Sequence, residues 1–163
     1  MWWLVSPQNP LKPAADMAPF AERLAGAIKL AHGHAGIRVT DIEARLGTRY
    51  SVDTLEALVR GYPAARFVWL IGADNLVQLP RWRRWTRIFE LVPVAVFDRA
   101  PYSFAALAGA AAKRFRRRRM RQRDARRLAD SAPPAWVYIR MRLHPASATA
   151  LRALRRGASK RRR

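Results

Sequence analysis

The run Phe67-Val68-Trp69-Leu70-Ile71, followed at once by Gly72-Ala73-Asp74, constrains this chain more than any other stretch. Five successive apolar residues leave no polar face, so a strand here must be covered on both sides. Sheets covered on both sides are built from parallel strands joined by helices. Val92–Phe97 is a second run of this kind, closed by Asp98-Arg99. Trp2–Val5, Ile37–Ile42 and Trp136–Arg140 read as further strands. Trp2–Val5 is read as buried and is stopped by Ser6-Pro7; the proline-rich loop Ser6–Pro13 follows.

Helical patterns alternate with these strands. Phe20, Leu24, Ala27, Ile28 and Ala31 recur at helical spacing, with Asp16 placed to cap the helix. Val52, Leu55, Leu58 and Val59 form a shorter stripe that starts after Ser51 and ends at Gly61 and Pro63. Ala105–Leu128, rich in Ala and Arg, reads as one long, largely exposed helix broken by Pro133-Pro134. Ser147–Arg156 reads as a closing helix. The alternation predicts one α/β domain over residues 1–156 with a mostly parallel sheet, and a basic disordered tail at 157–163. Ligands of such sheets bind beyond the carboxyl ends of the strands. That edge would carry Ser6–Pro13, Gly72–Asp74, Asp98–Tyr102 and His144–Thr149.

A chain of 163 residues can bury one core. It has no cysteine, which excludes disulfides and thiolate metal sites. No apolar run approaches the roughly 20 residues of a membrane span. Met1–Val5 lacks the basic lead and cleavage site of a signal peptide, and the expected location is the cytoplasm. The formal charge of +21 is concentrated in Lys113–Arg127 and Arg152–Arg163. Such runs attract polyanions, so a nucleic-acid-binding protein is one reading of this chain; Arg on solvated faces is the plainer one.

Several stretches could carry chemistry. Ser147, Thr149 and Arg152 offer hydroxyls and a cation where a strand gives way to a helix, an arrangement suited to phosphate or to an ordinary cap. Gly72 allows close backbone approach, and Asp74 could accept from a ribose hydroxyl. Trp82 and Trp85 could stack on a flat cationic ring or belong to the core. His32 and His34, at the end of a surface helix without carboxylate partners, read as solvent-facing turn residues. No nucleophilic triad and no zinc signature is present.

Taken in order, these pieces resemble the bacterial nicotinate-nucleotide adenylyltransferases from Trp2 to about Arg152. Trp3 to Lys12 is similar to the second strand and substrate loop of that family. Tyr50-Ser51-Val52-Asp53-Thr54-Leu55 is similar to its Tyr-Thr-x-Asp-Thr-Leu helix start. Leu70 to Leu76 with Leu79-Pro80-Arg81-Trp82 resembles its central signature. Ala146 to Arg152 resembles its Ile-Ser-x-Thr-x-Ile-Arg motif. The resemblance implies a Rossmann-like nucleotidyltransferase that moves AMP from ATP to nicotinate mononucleotide, with Mg²⁺ accompanying ATP and no metal-binding residues of its own. It implies that Trp82 stacks on the nicotinate ring, that backbone at Ser51 binds the carboxylate with Tyr50 alongside, and that Lys12 faces substrate phosphate. Gly72 and Asp74 would hold the nucleotide ribose; Ser147, Thr149 and Arg152 would grip the ATP phosphates.

Two departures accompany the resemblance. Ser51 stands where the family usually has Thr. The family also opens with a central strand and a Gly-rich loop ending in His-x-Gly-His, which this sequence lacks. The expectations are therefore a gap beside Trp2–Val5, a coding start upstream of Met1, and an inactive chain as it stands. An inactive relative that folds only with a partner is the further alternative.

Overall fold

A computed structural model describes residues 1–8 and 17–142. Lys12, Asp16, the closing helix with Ser147, Thr149 and Arg152, and the tail at 157–163 all lie outside the described residues. The strands are parallel throughout, as the apolar runs require, but they form two sheets. The first pairs β1 (Trp2–Leu4) with β2 (Arg38–Thr40), Trp3 opposite Val39. The second has the order β3 (Trp69–Gly72), β4 (Val94–Phe97), β6 (Trp136–Ile139), β5 (Arg119–Met120). Ile71 faces Val96, and Val96 faces Tyr138.

Alternation along β4 and β6 divides the core in two. Val94, Val96, Trp136 and Tyr138 face one side, under the helices. Those helices are α3 (Ser51–Gly61), α4 (Ala73–Gln78), α5 (Trp85–Leu91), α6 (Ser103–Ala108) and α7 (Ala110–Arg114). Phe89 and Phe115 stack there, ring centres 4.2 Å apart. Ala95 and Val137 face the other side, against Leu128 of a 3₁₀ segment at Gln122–Asp130. With both faces covered, β4 and β6 bury consecutive residues, which is why their sequence shows no polar alternation.

The edges toward the gap depart from this pattern. Leu70 is 41% exposed, so β3 is not covered on both sides as its sequence suggested. Trp2 and Trp3 are 40% and 39% exposed, so β1 is not the buried strand expected. The cause is common to both. Among the described residues β1 pairs only with β2 and β3 only with β4, and a cleft of about 910 Å³ runs between their open edges. Its walls include Trp3, Leu4, Leu58, Phe67 and Leu70, and Trp2 reaches Tyr62 and Phe67 edge-on, at 5.6 and 6.1 Å.

Helix α1 (Phe20–Ala31) begins behind Pro19, not at an Asp16 cap. Of its predicted stripe only Ala27 is buried, and Ile28 is 55% exposed, because the two-stranded sheet beneath it is too narrow to cover the stripe. A short helix α2 (Ile42–Leu46) follows β2 and ends at Gly47, whose φ of 62° suits glycine.

The long helix expected over Ala105–Leu128 does not form. α6 and α7 are separated by extended Gly109, where an added Cβ would lie 3.0 Å from the Ala105 carbonyl oxygen. Beyond α7, Trp136 Nε1 donates to the Phe115 carbonyl at 2.9 Å, and Arg119–Met120 pairs with β6 as an edge strand. Tertiary pairing here outweighs the helix propensity of Ala and Arg.

Candidate active site

The Tyr50-Ser51 junction builds the first part of the site. Tyr50 is extended at the N-cap of α3, and no side chain caps the helix. Asp53 is turned away to receive Arg84 at 2.8 Å. The Asp53 and Thr54 N–H groups bond the Tyr50 carbonyl, so among the described residues the N–H groups of Ser51 and Val52 are left free, at the wall of a cavity of about 250 Å³ lined by Tyr50 and Ser51. The partial positive charge of that terminus favours an anionic group. Behind it, Glu43 is 7% exposed, with Oε1 3.4 Å from the Thr54 hydroxyl, which also lies 2.7 Å from Thr48 Oγ1.

Trp82 lines the same cavity from the segment after the 3₁₀ turn Leu79–Arg81. Its indole Nε1 is buried without a partner among the described residues, as is Trp69 Nε1. Arg84 fixes this segment. Its backbone is left-handed, with φ 45°, and its guanidinium donates to Asp53 and to both oxygens of Glu56, at 2.9 and 3.2 Å. Arg84 holds the Glu56 carboxyl below its ordinary value, and Glu56, then Asp53, raise Arg84. Arg83 and Arg49 flank the Tyr50 ring, at 5.0 and 5.8 Å from its centre. Trp85 is different: it packs edge-on against Phe115 at 6.0 Å, a core role.

The second part lies at the carboxyl ends of β3 and β4. At Gly72 an added Cβ would displace the Asp74 carboxylate from its present place. Arg99 Nη1 donates to Asp74 Oδ2 at 3.0 Å, while Oδ1 is buried with no partner among the described residues. Beside it, Asp98 accepts from the Ser103 hydroxyl and, at 2.7 Å, from Tyr138 OH. These bonds, Ser103 first, hold the Asp98 carboxyl below its ordinary value. Burial, and then Asp98, push Tyr138 up to about 12.

The structure thus brings Tyr50, Ser51 and Trp82 onto one cavity, with Gly72 and Asp74 at the adjacent strand ends. Lys12, Ser147, Thr149 and Arg152 lie outside the described residues. His32 and His34 are exposed in the turn after α1, and neither lines the cavity. Sequence reasoning missed Glu43, Arg83, Arg84 and Arg99. Arg99 carried a usable signal, since it directly follows a strand end on the same edge as Asp74. Arg84 carried none, because its partners lie 28 and 31 residues away.

Comparison with known proteins places these features in a family. The cytidylyltransferase-like family matches residues 1–153. The chain is similar to a probable nicotinate-nucleotide adenylyltransferase of Caulobacter sp. strain K31, 49% identical over 150 residues, spanning 92% of this chain and 79% of that one. It is similar to the proteins of that name in Parvibaculum lavamentivorans, 49% identical over 93% of this chain and 75% of that one, and in Cereibacter sphaeroides strain ATCC 17023, 46% identical over 94% and 80%. The fold resembles Plasmodium falciparum nicotinic acid mononucleotide adenylyltransferase complexed with APC. The TM-score is 0.57 at 12% identity, covering 91% of this chain and 61% of that one.

Proposed function

This chain belongs to the nicotinate-nucleotide adenylyltransferases of the cytidylyltransferase-like family, and we propose that it holds nicotinate mononucleotide in the cavity at the start of α3. Its reaction transfers AMP from ATP to the mononucleotide, giving deamido-NAD and pyrophosphate in NAD biosynthesis. The observation that carries the proposed binding mode is the meeting of an uncapped helix terminus with an indole across 250 Å³. The nicotinate carboxylate meets the free N–H groups at Ser51, and Trp82 stacks on the pyridinium ring. Arg83 and Arg49, held against Tyr50, keep the mouth of the cavity cationic.

Asp74 accepts from a ribose hydroxyl of ATP through Oδ1, the oxygen that Arg99 leaves free, and Gly72 admits the sugar. By motif position alone, Lys12 faces the mononucleotide phosphate and Ser147, Thr149 and Arg152 hold the ATP phosphates. The mononucleotide phosphate attacks the α-phosphorus directly, so the protein's share is positioning and neutralisation of charge. Among the described residues no three His, Asp or Glu side chains cluster to cage a metal. Mg²⁺ is read as arriving on ATP as its counter-ion. We place the reaction in the cytoplasm, where ATP is made; no helix among the described residues is long and apolar enough to cross a membrane.

The test is a titration of intrinsic fluorescence with nicotinate mononucleotide. Binding is expected to quench Trp82, and the quench should vanish in Trp82→Phe while the other five tryptophans remain. Quenching that survives this change would assign the ring to another place.

A further inference from the structure

Residues 113–127 hold ten basic side chains and one acidic one, Asp124. Every one of those ten cations is exposed, and none is within ion-pair distance of a carboxylate among the described residues. Elsewhere Arg45, Arg66, Arg84, Arg87 and Arg99 all have carboxylate partners. The segment is thus the densest run of unpaired cations among the described residues, and it wraps the β5 edge of the four-stranded sheet, giving that edge a cationic face.

That face is a fixed platform. Gln122 clamps Arg140 through two bonds of 3.0 Å, one from its amide nitrogen to the Arg140 carbonyl and one accepted from the Arg140 N–H. The Trp136–Phe115 bond and buried Leu128 pin either end of the segment. Arg119 lies over the Trp136 and Tyr138 rings at 5.3 and 5.7 Å. Arg116–Arg118 form a 3₁₀ turn, which fans three successive guanidinium groups outward.

We propose that this face binds the sugar–phosphate backbone of double-helical nucleic acid without reading its sequence. The choice among polyanions follows from what the face lacks. Its one aromatic residue, Phe115, is buried, so no ring is offered for stacking the bases of a single strand. It exposes no large apolar side chain of the sort that anchors a protein partner. Guanidinium groups on a rigid support match the dense phosphate array of a duplex, one charge per about 1.7 Å of axis. β5 is three strand spacings from β3, about 14 Å, so a duplex here leaves the mononucleotide cavity clear.

The experiment is fluorescence anisotropy with a short labelled duplex of arbitrary sequence, at salt from 50 to 200 mM, roughly the range over which such contacts weaken. Inorganic polyphosphate and anionic lipid vesicles, matched in charge, form parallel arms. The expected result is duplex binding whose log K falls with log salt at a slope of about −4, from about four phosphates neutralised. Arg116→Gln with Arg117→Gln and Arg118→Gln should weaken binding at least about tenfold and flatten the slope. Arg45→Gln, already paired with Asp41, should change nothing. Changing Arg161, Arg162 and Arg163 to Gln should leave most of the affinity. If the triple variant melts early, Arg117→Gln and Arg126→Gln separately should each lower the slope by about one. Binding that is unaffected by these changes, that follows the 161–163 variant, or that prefers polyphosphate or vesicles at equal charge overturns the proposal.

Discussion

Arg99 grips one oxygen of Asp74 and leaves the other, Oδ1, buried beside Gly72 with no partner among the described residues. A buried acceptor without a donor costs about 1–3 kcal/mol, which a ligand hydroxyl would recover. Asp74→Asn is expected to weaken ATP binding about tenfold or more, and Arg99→Gln less, with the mononucleotide affinity unchanged in both. Calorimetric titration of each ligand checks this. Equal losses for both ligands would mean that Asp74 acts on the fold and not on the nucleotide.

Trp82 and Trp85 should separate cleanly. Trp82→Ala is expected to remove mononucleotide binding and to cost less stability than Trp85→Ala, since its ring packs on the core but also lines the cavity. Trp85→Ala cuts into the Phe115 contact and should cost about 3 kcal/mol, the lower end for a large aromatic. Urea melts of the two variants give the comparison.

Arg84 ties α3 to the Trp82 segment. Arg84→Ala removes its bonds to Asp53 and Glu56 and frees Asp53 to cap α3 in place of a ligand. The expected outcome is weaker mononucleotide binding, by about three- to tenfold, with a melting temperature within a few degrees of the parent, because exposed ion pairs contribute little. An unchanged affinity would remove Arg84 from the positioning of the site.

Asp98 and Tyr138 set opposite pH limits. Asp98 is lowered in the fold, so its contribution is present above the unfolded carboxyl value and lost as pH falls through the folded one. Tyr138 is raised from 10.0 to about 12, so its contribution is full below pH 10 and lost as pH rises through about 12. Tyr138→Phe should therefore flatten the alkaline limb of a stability profile and shrink the acid limb only in part, since the Ser103 bond to Asp98 remains. Thermal melts across pH read both limbs.

The cleft between β1 and β3 predicts a response to being filled. A chain carrying a further strand ahead of Met1 is expected to melt higher than this one, since both unpaired edges gain backbone partners. Pyrophosphate release from ATP with nicotinate mononucleotide, measured on both chains, is expected from the longer one. Activity in neither would count against the enzyme reading.

Much of this was legible in the sequence for a physical reason. Val92–Phe97 and Trp136–Arg140 are covered on both faces, so their apolar runs report burial directly, and both strands form. Tyr50-Ser51 and Gly72-Ala73-Asp74 mark turns into helices, which are local events with local residue requirements. What failed depended on distant partners. Leu70 and Trp3 are as apolar as Val96, but their exposure is set by whether a neighbouring strand exists. Ala105–Leu128 has helical composition throughout, yet the Phe115 carbonyl is claimed by Trp136 and Arg119–Met120 by β6. The clasp of Arg84 on Asp53 and Glu56 joins residues that no local pattern connects.

The division of the strands into two ladders also bears on how the molecule opens. Among the described strands β1 and β2 pair only with each other, and the aromatic contacts of Trp2 with Tyr62 and Phe67 join the β1 edge to the chain leading into β3. Cooperative units of this kind open with free energies of their own. Backbone amides of Trp3, Leu4, Val39 and Thr40 should exchange with deuterium well before those of Ala95, Val96 and Val137, tracing a partial unfolding that frees the first ladder while the four-stranded one stays closed.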